Sequence, residues 1–318
     1  MKRALITGAL GLAGVYLARH LIEKGYRVFG MDVRDGRDDD LVPEGLKIIT
    51  GDITNPSDVI ESFKISSPHL VFHLGAMISG GGAAGGSADF LDCNVKGTLH
   101  VLETALAQNK KSRILFSSSS AVYDAGIRKT VAEDSPLGPV TFYGVTKLLS
   151  EQLCTYFAGK YDQEIVIART FNNTAPGEHT RMVSSSLAVQ VARMEGGEAP
   201  PLLKVGRTDI VRDFTDTRDV VRAYFGLIEK GERGGIYNVC SGTGRPIACI
   251  IDVLREASSI SFDVETESGR ERNAKEDISS QIGDPSKLTA RTGWKTNIPF
   301  EQTIRELLDY WRRNVSRS

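Results

Sequence analysis

The sequence predicts an open α/β fold: a parallel sheet wound on both faces by helices, with a smaller C-terminal region. Three observations carry this. Short, near-continuous apolar runs alternate with amphipathic stretches through the first half of the chain, the pattern of β-α-β units whose strands are covered on both faces. Three glycines, Gly8, Gly11 and Gly14, stand where the first apolar run gives way to the first amphipathic stretch. After about residue 172 the alternation breaks and helical patterns come to dominate.

In chain order, the strands expected are RALIT (3–7), RVFGMD (27–32), KIITGD (47–52), LVFHLGA (70–76), RILFSSS (113–119) and EIVIART (164–170). Helices are expected between them over 12–23, 57–63, 88–107 and 143–157. Further on, 181–195 reads as a helix, 202–206 as a strand, 217–231 as a helix with Val220, Val221, Tyr224, Phe225 and Ile228 on one face, and 234–242 as a buried strand. DPSKLTARTGW (284–294) has an Asp before a Pro and a Gly after its last turn, the marks of a capped short helix. FEQTIRELLDYWRR closes the pattern with Ile304, Leu307, Leu308 and Trp311 on one stripe, which is read as packing. The break in rhythm divides the chain into residues 1–172, to which 211–242 is expected to return, and a second region of 173–210 and 243–318.

Composition narrows the function. With 318 residues, 41% of them hydrophobic and 25% charged, the chain suits one large domain or a large and a small one. Lysine plus arginine (39) nearly balances aspartate plus glutamate (40), so the basic surplus that holds a phosphate backbone is missing and nucleic acid is not expected as a partner. Cys93, Cys154, Cys240 and Cys249 form no C-x-x-C pair, which suits free thiols in a reducing compartment, the cytoplasm. No apolar run is long enough to span a bilayer, and a membrane is not expected as a partner. His20, His69, His73, His100 and His179 make no spaced set with carboxylates or thiols, so no metal is expected.

Two motifs carry chemistry. In LITGALGLAG the glycines permit a tight turn and let the backbone approach a pyrophosphate, whose charge the helix N-terminus stabilises; this is the Rossmann dinucleotide arrangement. Asp32 ends the second strand, where a carboxylate accepts hydrogen bonds from the adenosine ribose and repels a 2′-phosphate, which favours NAD over NADP. Arg34 and Arg37 follow, and are read either as serving NADP or as a solvated loop. Asp52 is read either as an adenine contact or as a strand-end cap. The second motif is FYGVTK: Tyr143 and Lys147 are four apart, on one face of a helix. A phenol with a free pKa of about 10 becomes a usable proton donor and acceptor beside an ammonium group. SSSS (117–120) adds hydroxyls at the end of the fifth strand, on the carboxyl edge where such sheets bind ligands.

TGALGLAG, GDITN, HLGA, NVKGT, SSSSAVYD, FYGVTK, RTFNNTAPG, VRDFTDTRDV and YNVCSG occur in the order found in the extended short-chain dehydrogenase/reductase family, and the chain resembles that family over essentially its full length. The resemblance implies Ser119, Tyr143 and Lys147 as the catalytic set, with Ser119 placed by counting back from Tyr123. It implies dinucleotide contacts from Gly8, Gly11, Leu12, Gly14, Asp32, Asp52, Ile53, Leu74, Gly75, Ala76, Asn94, Ser117 and Lys147, with Asn94 also bridging core and active site. Ser118, Ser120, Asn172, Arg212 and Arg272 (or Arg270) are implied for a nucleotide-diphosphate sugar, though as bare residues Asn172 and Arg212 read equally as structural hydrogen-bonders; His179, where the chain enters the substrate region, is read either as touching the sugar or as solvent-exposed. Residues 1–172 then become the dinucleotide-binding domain and 173–210 with 243–318 the nucleotide-sugar region. A homodimer through the two helices flanking the sheet, the Tyr143 helix included, is implied as well.

The C-terminal half is most similar to the GDP-4-keto-6-deoxymannose reductases. Two positions depart from them. Ala121 stands where dehydratases of the family carry a glutamate, so dehydration is not expected; Ala121 and Asp32 both look more like NAD-using 4-epimerases. SGGGAAGGSAD (79–89) lacks the polar side chains expected over the nicotinamide, and is read as a lid with glycine hinges or as a surface loop. The expected activity is hydride transfer at C4 of a sugar nucleotide by a reductase. An NAD-retaining 4-epimerase is the first alternative, and a dehydrogenase of a small hydroxy or amino acid the second. A cofactor sensor without turnover is a further class, against which the Ser, Tyr and Lys set counts.

Overall fold

The computed structural model describes residues 1–37, 40–78, 86–108, 112–127, 130–267 and 278–315. The chain runs β1 (Arg3–Thr7), α1 (Leu12–Glu23), β2 (Arg27–Asp32), β3 (Lys47–Thr50), α2 (Pro56–Ser66), β4 (Leu70–His73), α3 (Ser87–Phe90), a π-helical turn (Leu91–Lys96), α4 (Gly97–Ala107), β5 (Arg113–Ser119), α5 (Phe142–Lys160) and β6 (Ile165–Thr170). It continues through β7 (Asn172–Thr174), α6 (Val183–Glu195), β8 (Leu202–Val205), β9 (Val211–Asp216), α7 (Thr217–Lys230), β10 (Ile236–Val239), β11 (Gly244–Pro246), α8 (Ala248–Ala257), β12 (Asp263–Thr266), β13 (Ser280–Gln281), α9 (Ser286–Thr292) and α10 (Phe300–Asn314).

Seven strands pair in parallel in the order β10-β6-β5-β4-β1-β2-β3. The order reverses between β1 and β4, and that switch point opens a crevice at the carboxyl edge. Helices cover both faces, as the doubly wound expectation requires. On one face α1 (Val15, Leu17, Leu21) and α7 (Val220, Tyr224, Leu227) share a core with Ile6, Phe72 and Leu115. On the other, α2 (Val59, Phe63), α4 (Val101, Leu102) and α5 (Cys154, Phe157) pack on Leu5, Val71 and Ile114. Both sides of every central strand are therefore apolar, which is why the runs read as continuous. A third core joins α6, α8 and α10 through Leu187, Val191, Ile250, Leu254, Ile304 and Leu308, with Leu203 of β8 beneath.

Of the stretch 211–242, β10 lies at the edge of the large sheet, whereas β9 lies in a smaller one between β11 and β13 and also pairs with β7. The helix expected over 88–107 is broken by the π-helical turn, which holds Asn94; such turns insert one residue without ending the helix and concentrate at functional sites. The helix at 286–292 ends as expected, with Gly293 at φ 77°. No helix among the described residues is long and apolar enough to cross a membrane.

Candidate active site

The glycine turn forms the floor of the crevice. Gly8 has φ +69°, and a Cβ there would lie 2.8 Å from Cα of Gly75, so only glycine lets the turn after β1 pass the end of β4. At Gly14 a Cβ would come within 2.5 Å of the carbonyl oxygens of Gly8 and Ala9; its absence seats α1 against the turn. Gly11 precedes the first residue of α1, Leu12, with no side chain capping the helix and no acidic residue in its first turn. The first N–H groups of α1 are thereby left to a ligand, and they attract negative charge.

Beside this turn is a cavity of about 560 Å³ whose wall includes Gly8, Gly11, Asp32, Asp52, Ile53, Leu74, Gly75 and Ala76. Its size is that of a cofactor site. Asp32 is 7% exposed; its carboxylate accepts from Leu10 N (2.9 Å) and from Nε of Arg34 (3.1 Å). Asp52 accepts from Thr54 N (2.8 Å), a strand-end cap, and also faces the cavity. A glycine floor, an uncapped helix N-terminus and a carboxylate at the end of β2 fit a dinucleotide. Arg34 is ion-paired with Asp32. Arg37 is not a solvated residue: it donates to the carbonyls of Leu10 (2.9 Å) and Gly177 (3.2 Å) and ties the loop after β2 to the chain beyond β7.

At the end of β5 three expected side chains meet. Thr141 accepts from Gly144 N (3.1 Å) and starts α5. A Cβ on Gly144 would clash with the carbonyl of Ala121, so this glycine lets the first turn of α5 press against the residues that follow β5. The phenol of half-buried Tyr143 faces the Ser119 hydroxyl. Lys147 is 4% exposed. Its ammonium donates to the carbonyl of Ser117 (2.7 Å) and lies 5.9 Å from the centre of the Tyr143 ring. Burial pushes the phenol up to about 12, with the Ser119 hydrogen bond acting in the opposite direction. Burial also pushes the Lys147 ammonium down to about 8, still charged for the most part at neutral pH. The arrangement is a phenol that burial holds protonated, with a buried cation close by.

Asn94 sits behind the cavity, 2% exposed. Its amide accepts from Met77 N (2.8 Å) and donates to Met77 O (3.0 Å) and Thr146 Oγ1 (2.9 Å), so it joins the segment after β4 to α5. Ser117 binds Tyr224 Oη (2.9 Å), which also binds Thr170 (2.6 Å), a buried hydroxyl chain from α7 that the sequence did not suggest.

The nucleotide-sugar residues are less well gathered. Ser118 must be corrected: alternation along β5 turns it to α5, where its hydroxyl donates to buried Glu151 (2.5 Å). Ser120 is likewise engaged inside, donating to Gln281 Oε1 (3.1 Å) and accepting from Gln281 Nε2 through its carbonyl (2.9 Å). Asn172 is exposed on β7, and Arg212 on β9 donates to the carbonyls of Val211 (2.9 Å) and Ile278 (2.6 Å). His179 is exposed and accepts from Arg181 N (3.1 Å). Arg270, Arg272 and most of SGGGAAGGSAD lie outside the described residues. Met31, Thr54, Met77, Asp89, Asp92 and Cys93 also line the cavity. A signal existed for the last three: positions 89, 92 and 93 share one helical face just before Asn94. Among the described residues no group of three His, Cys, Asp or Glu side chains is placed to hold a metal ion.

The chain matches the NAD dependent epimerase/dehydratase family over residues 4–240. It is 33% identical over 250 residues to GDP-6-deoxy-D-mannose reductase of Pseudomonas aeruginosa, covering 78% of this chain and 82% of that one. It is 26% identical to UDP-arabinose 4-epimerase 1 of Arabidopsis thaliana, covering 92% and 75%. Among solved structures it superposes on RMD from Pseudomonas aeruginosa complexed with NADPH with a TM-score of 0.83 at 27% identity, covering 98% of this chain and 100% of that one.

Proposed function

The chain belongs to the NAD dependent epimerase/dehydratase family, and from that premise we propose that it is a reductase transferring hydride from a bound nicotinamide dinucleotide to C4 of a nucleotide-linked 4-keto-6-deoxy sugar. The observation that carries this reading is the meeting of Ser119, Tyr143 and Lys147 at the carboxyl end of β5. The 33% identity to a GDP-6-deoxymannose reductase favours a GDP-sugar. When bound, the dinucleotide supplies the hydride. Tyr143 Oη gives its proton to the C4 oxygen, and Ser119 Oγ donates to the same oxygen and fixes its direction. Lys147 stabilises the phenolate that results, and its ammonium is held on the Ser117 carbonyl in readiness. Ala121 offers no base for proton removal at C5. Gly8, Gly11 and Leu12 would hold the diphosphate and Asp32 the adenosine ribose of NAD, while Arg212 would serve the substrate's diphosphate.

One observation favours a second reading. The Asp32 carboxylate disfavours NADPH, the cofactor of the structurally similar RMD, and an NAD-retaining 4-epimerase would use the same three side chains twice, oxidising C4 and returning hydride to the other face. The test is to feed the purified protein a GDP-4-keto-6-deoxyhexose with NADH or NADPH, and separately UDP- and GDP-hexoses with no reductant. Stoichiometric oxidation of reduced cofactor with the keto sugar, faster with NADH, is expected. Conversion of a hexose to its C4 epimer with dinucleotide retained through gel filtration would replace the reductase by the epimerase. Turnover of a small hydroxy acid alone would discard both.

The same reading extends to assembly. Phe142, Leu149 and Tyr156 recur every seven residues on α5 at 40, 43 and 55% exposure, and Leu91 and Leu106 are exposed at 36 and 40% on the neighbouring π-turn and α4. Apolar groups so spaced suit a second copy about a two-fold axis. Sedimentation velocity should give a dimer, and Leu149→Glu with Tyr156→Arg a folded monomer; a wild-type monomer at micromolar concentration refutes the assembly.

A further inference from the structure

Histidine 73 ends β4 directly beneath the crevice, 2% exposed, with no route to substrate. Its ring nitrogens are both engaged: Nδ1 lies 2.7 Å from Thr7 Oγ1 and Nε2 lies 3.0 Å from Thr98 Oγ1. The neighbouring bonds settle which nitrogen carries the proton. Thr98 Oγ1 lies 2.6 Å from the carbonyl oxygen of Asn94. A carbonyl only accepts, so the single hydroxyl proton of Thr98 goes there, and Thr98 must accept from His73 Nε2–H. Nδ1 is then the acceptor and takes the proton of Thr7 Oγ1, which itself accepts from Gly75 N (3.1 Å). Desolvation by burial, assisted by the nearby Lys147 charge, pushes this imidazole down to about 3. It is neutral throughout the working pH range, as a ring with one donor and one acceptor must be.

The bonds then form one directed series. Gly75, packed on Gly8 in the glycine turn, donates to Thr7, Thr7 to His73, His73 to Thr98, and Thr98 to the Asn94 carbonyl. The Asn94 amide donates to Thr146 (2.9 Å), and Thr146 donates to the carbonyl of Tyr143 (2.8 Å). Asn94 Nδ2 has two protons and spends both, on Met77 O and Thr146. The series crosses β1, β4, α4, the π-helical turn and α5. β1 and β4 are also paired in the sheet, and Ser150 Oγ of α5 also donates to the Asn94 carbonyl (2.8 Å); to these bonds the series adds a continuous polar link from the glycine turn to the catalytic turn of α5.

We propose that His73 is a positioning residue, an imidazole locked as the Nε2–H tautomer that sets the catalytic turn of α5 relative to the dinucleotide cradle. The inference rests on the site proposed above, but its test does not need the substrate. In the wild-type protein, 15N chemical shifts of His73 should report a neutral Nε2–H ring from pH 6 to 9. His73→Leu keeps the volume and removes both bonds; His73→Gln keeps an acceptor and a donor of the same polarity. In His73→Leu, amide hydrogen exchange over residues 141–147 and at Met77 should accelerate at least tenfold and NADH binding weaken at least tenfold, while exchange in α8 and α10 stays unchanged. His73→Gln should return both to within about threefold. Thr98→Val, which cuts the series one link later and leaves the His73–Thr7 pair, should reproduce the α5 effect if His73→Leu does not fold. An Nδ1–H or cationic ring, exchange in α5 no faster than in wild type in these variants, or a Gln variant as impaired as the Leu variant would each overturn the proposal. Failure of the nucleotide-sugar assays would leave these readouts standing, so the two readings fail separately.

Discussion

Replacing Tyr143 by Phe is expected to lower turnover by roughly 10²–10⁴-fold, the range over which a positioned proton donor contributes, while leaving dinucleotide affinity within about threefold. The phenol faces the Ser119 hydroxyl, and its ring lies 5.9 Å from the buried ammonium of Lys147, whose own bond goes to the Ser117 carbonyl and survives the substitution. The cavity wall along Gly8, Gly11, Asp32 and Gly75 does not include residue 143. The sign of the pH dependence follows from the protonation state. Burial holds the phenol protonated, pushed up to about 12 in the protein alone, and a cationic nicotinamide would bring it down. Reduction needs the protonated form and should slow as pH rises through the pKa of the ternary complex. Oxidation needs the phenolate and should accelerate over the same interval. Stopped-flow absorbance at the reduced-nicotinamide band, with each direction started separately, measures both. A Phe variant within threefold of wild-type turnover would remove Tyr143 from the chemistry.

Five strands of the first half were legible because a strand covered on both faces must be apolar throughout; β3, at the sheet edge, is only partly covered and shows the pattern in its two isoleucines alone. The glycine turn was legible because only glycine tolerates the φ of Gly8 and the approach of Gly75. Short elements were not: β7, β11 and β13 have three residues or fewer, too few for a period to show. Period does separate the serines. Along β5 alternate residues face opposite sides, so Ser117 reaches Tyr224, Ser118 reaches Glu151, and Ser119 remains at the edge with Tyr143. Counting that alternation through SSSS would have removed Ser118 from the substrate set without a structure. Arg37, by contrast, was beyond reach, since its partners are carbonyl groups at Leu10 and Gly177, remote in sequence and without side-chain signature. His73 was visible only as a histidine that matched no metal pattern; its meaning lies in the hydroxyls of Thr7 on β1 and Thr98 on α4 that hold its two ring nitrogens.

The bond that takes Ser118 out of the substrate set leads to the largest stability effect expected. Arg169 on β6 and Glu151 on α5 are 2 and 1% exposed at their side chains, 2.8 Å apart, and doubly bonded. Ser118 and the Glu133 carbonyl take up the remaining valences, and the guanidinium stacks 4.8 Å from the centre of the Tyr123 ring. Such a pair adds little to stability relative to an apolar replacement of both partners, because desolvating two charges offsets their attraction. Removing one partner is another matter, since the other stays buried and uncompensated. Arg169→Met should therefore cost about 3–5 kcal/mol, read as a fall in the urea midpoint at unchanged slope. Glu151→Leu should do the same, and Arg169→Met with Glu151→Leu should recover most of the loss. Glu151 lies one helical turn beyond Lys147 on α5, so the pair also sets how α5 sits on β5. The double variant should thus be stable yet show Lys147 displaced from the Ser117 carbonyl, detectable as weakened NADH binding. A single variant costing under about 1 kcal/mol, the scale of an exposed pair, would mean that water reaches this site and that the register of α5 against β5 is held by packing alone.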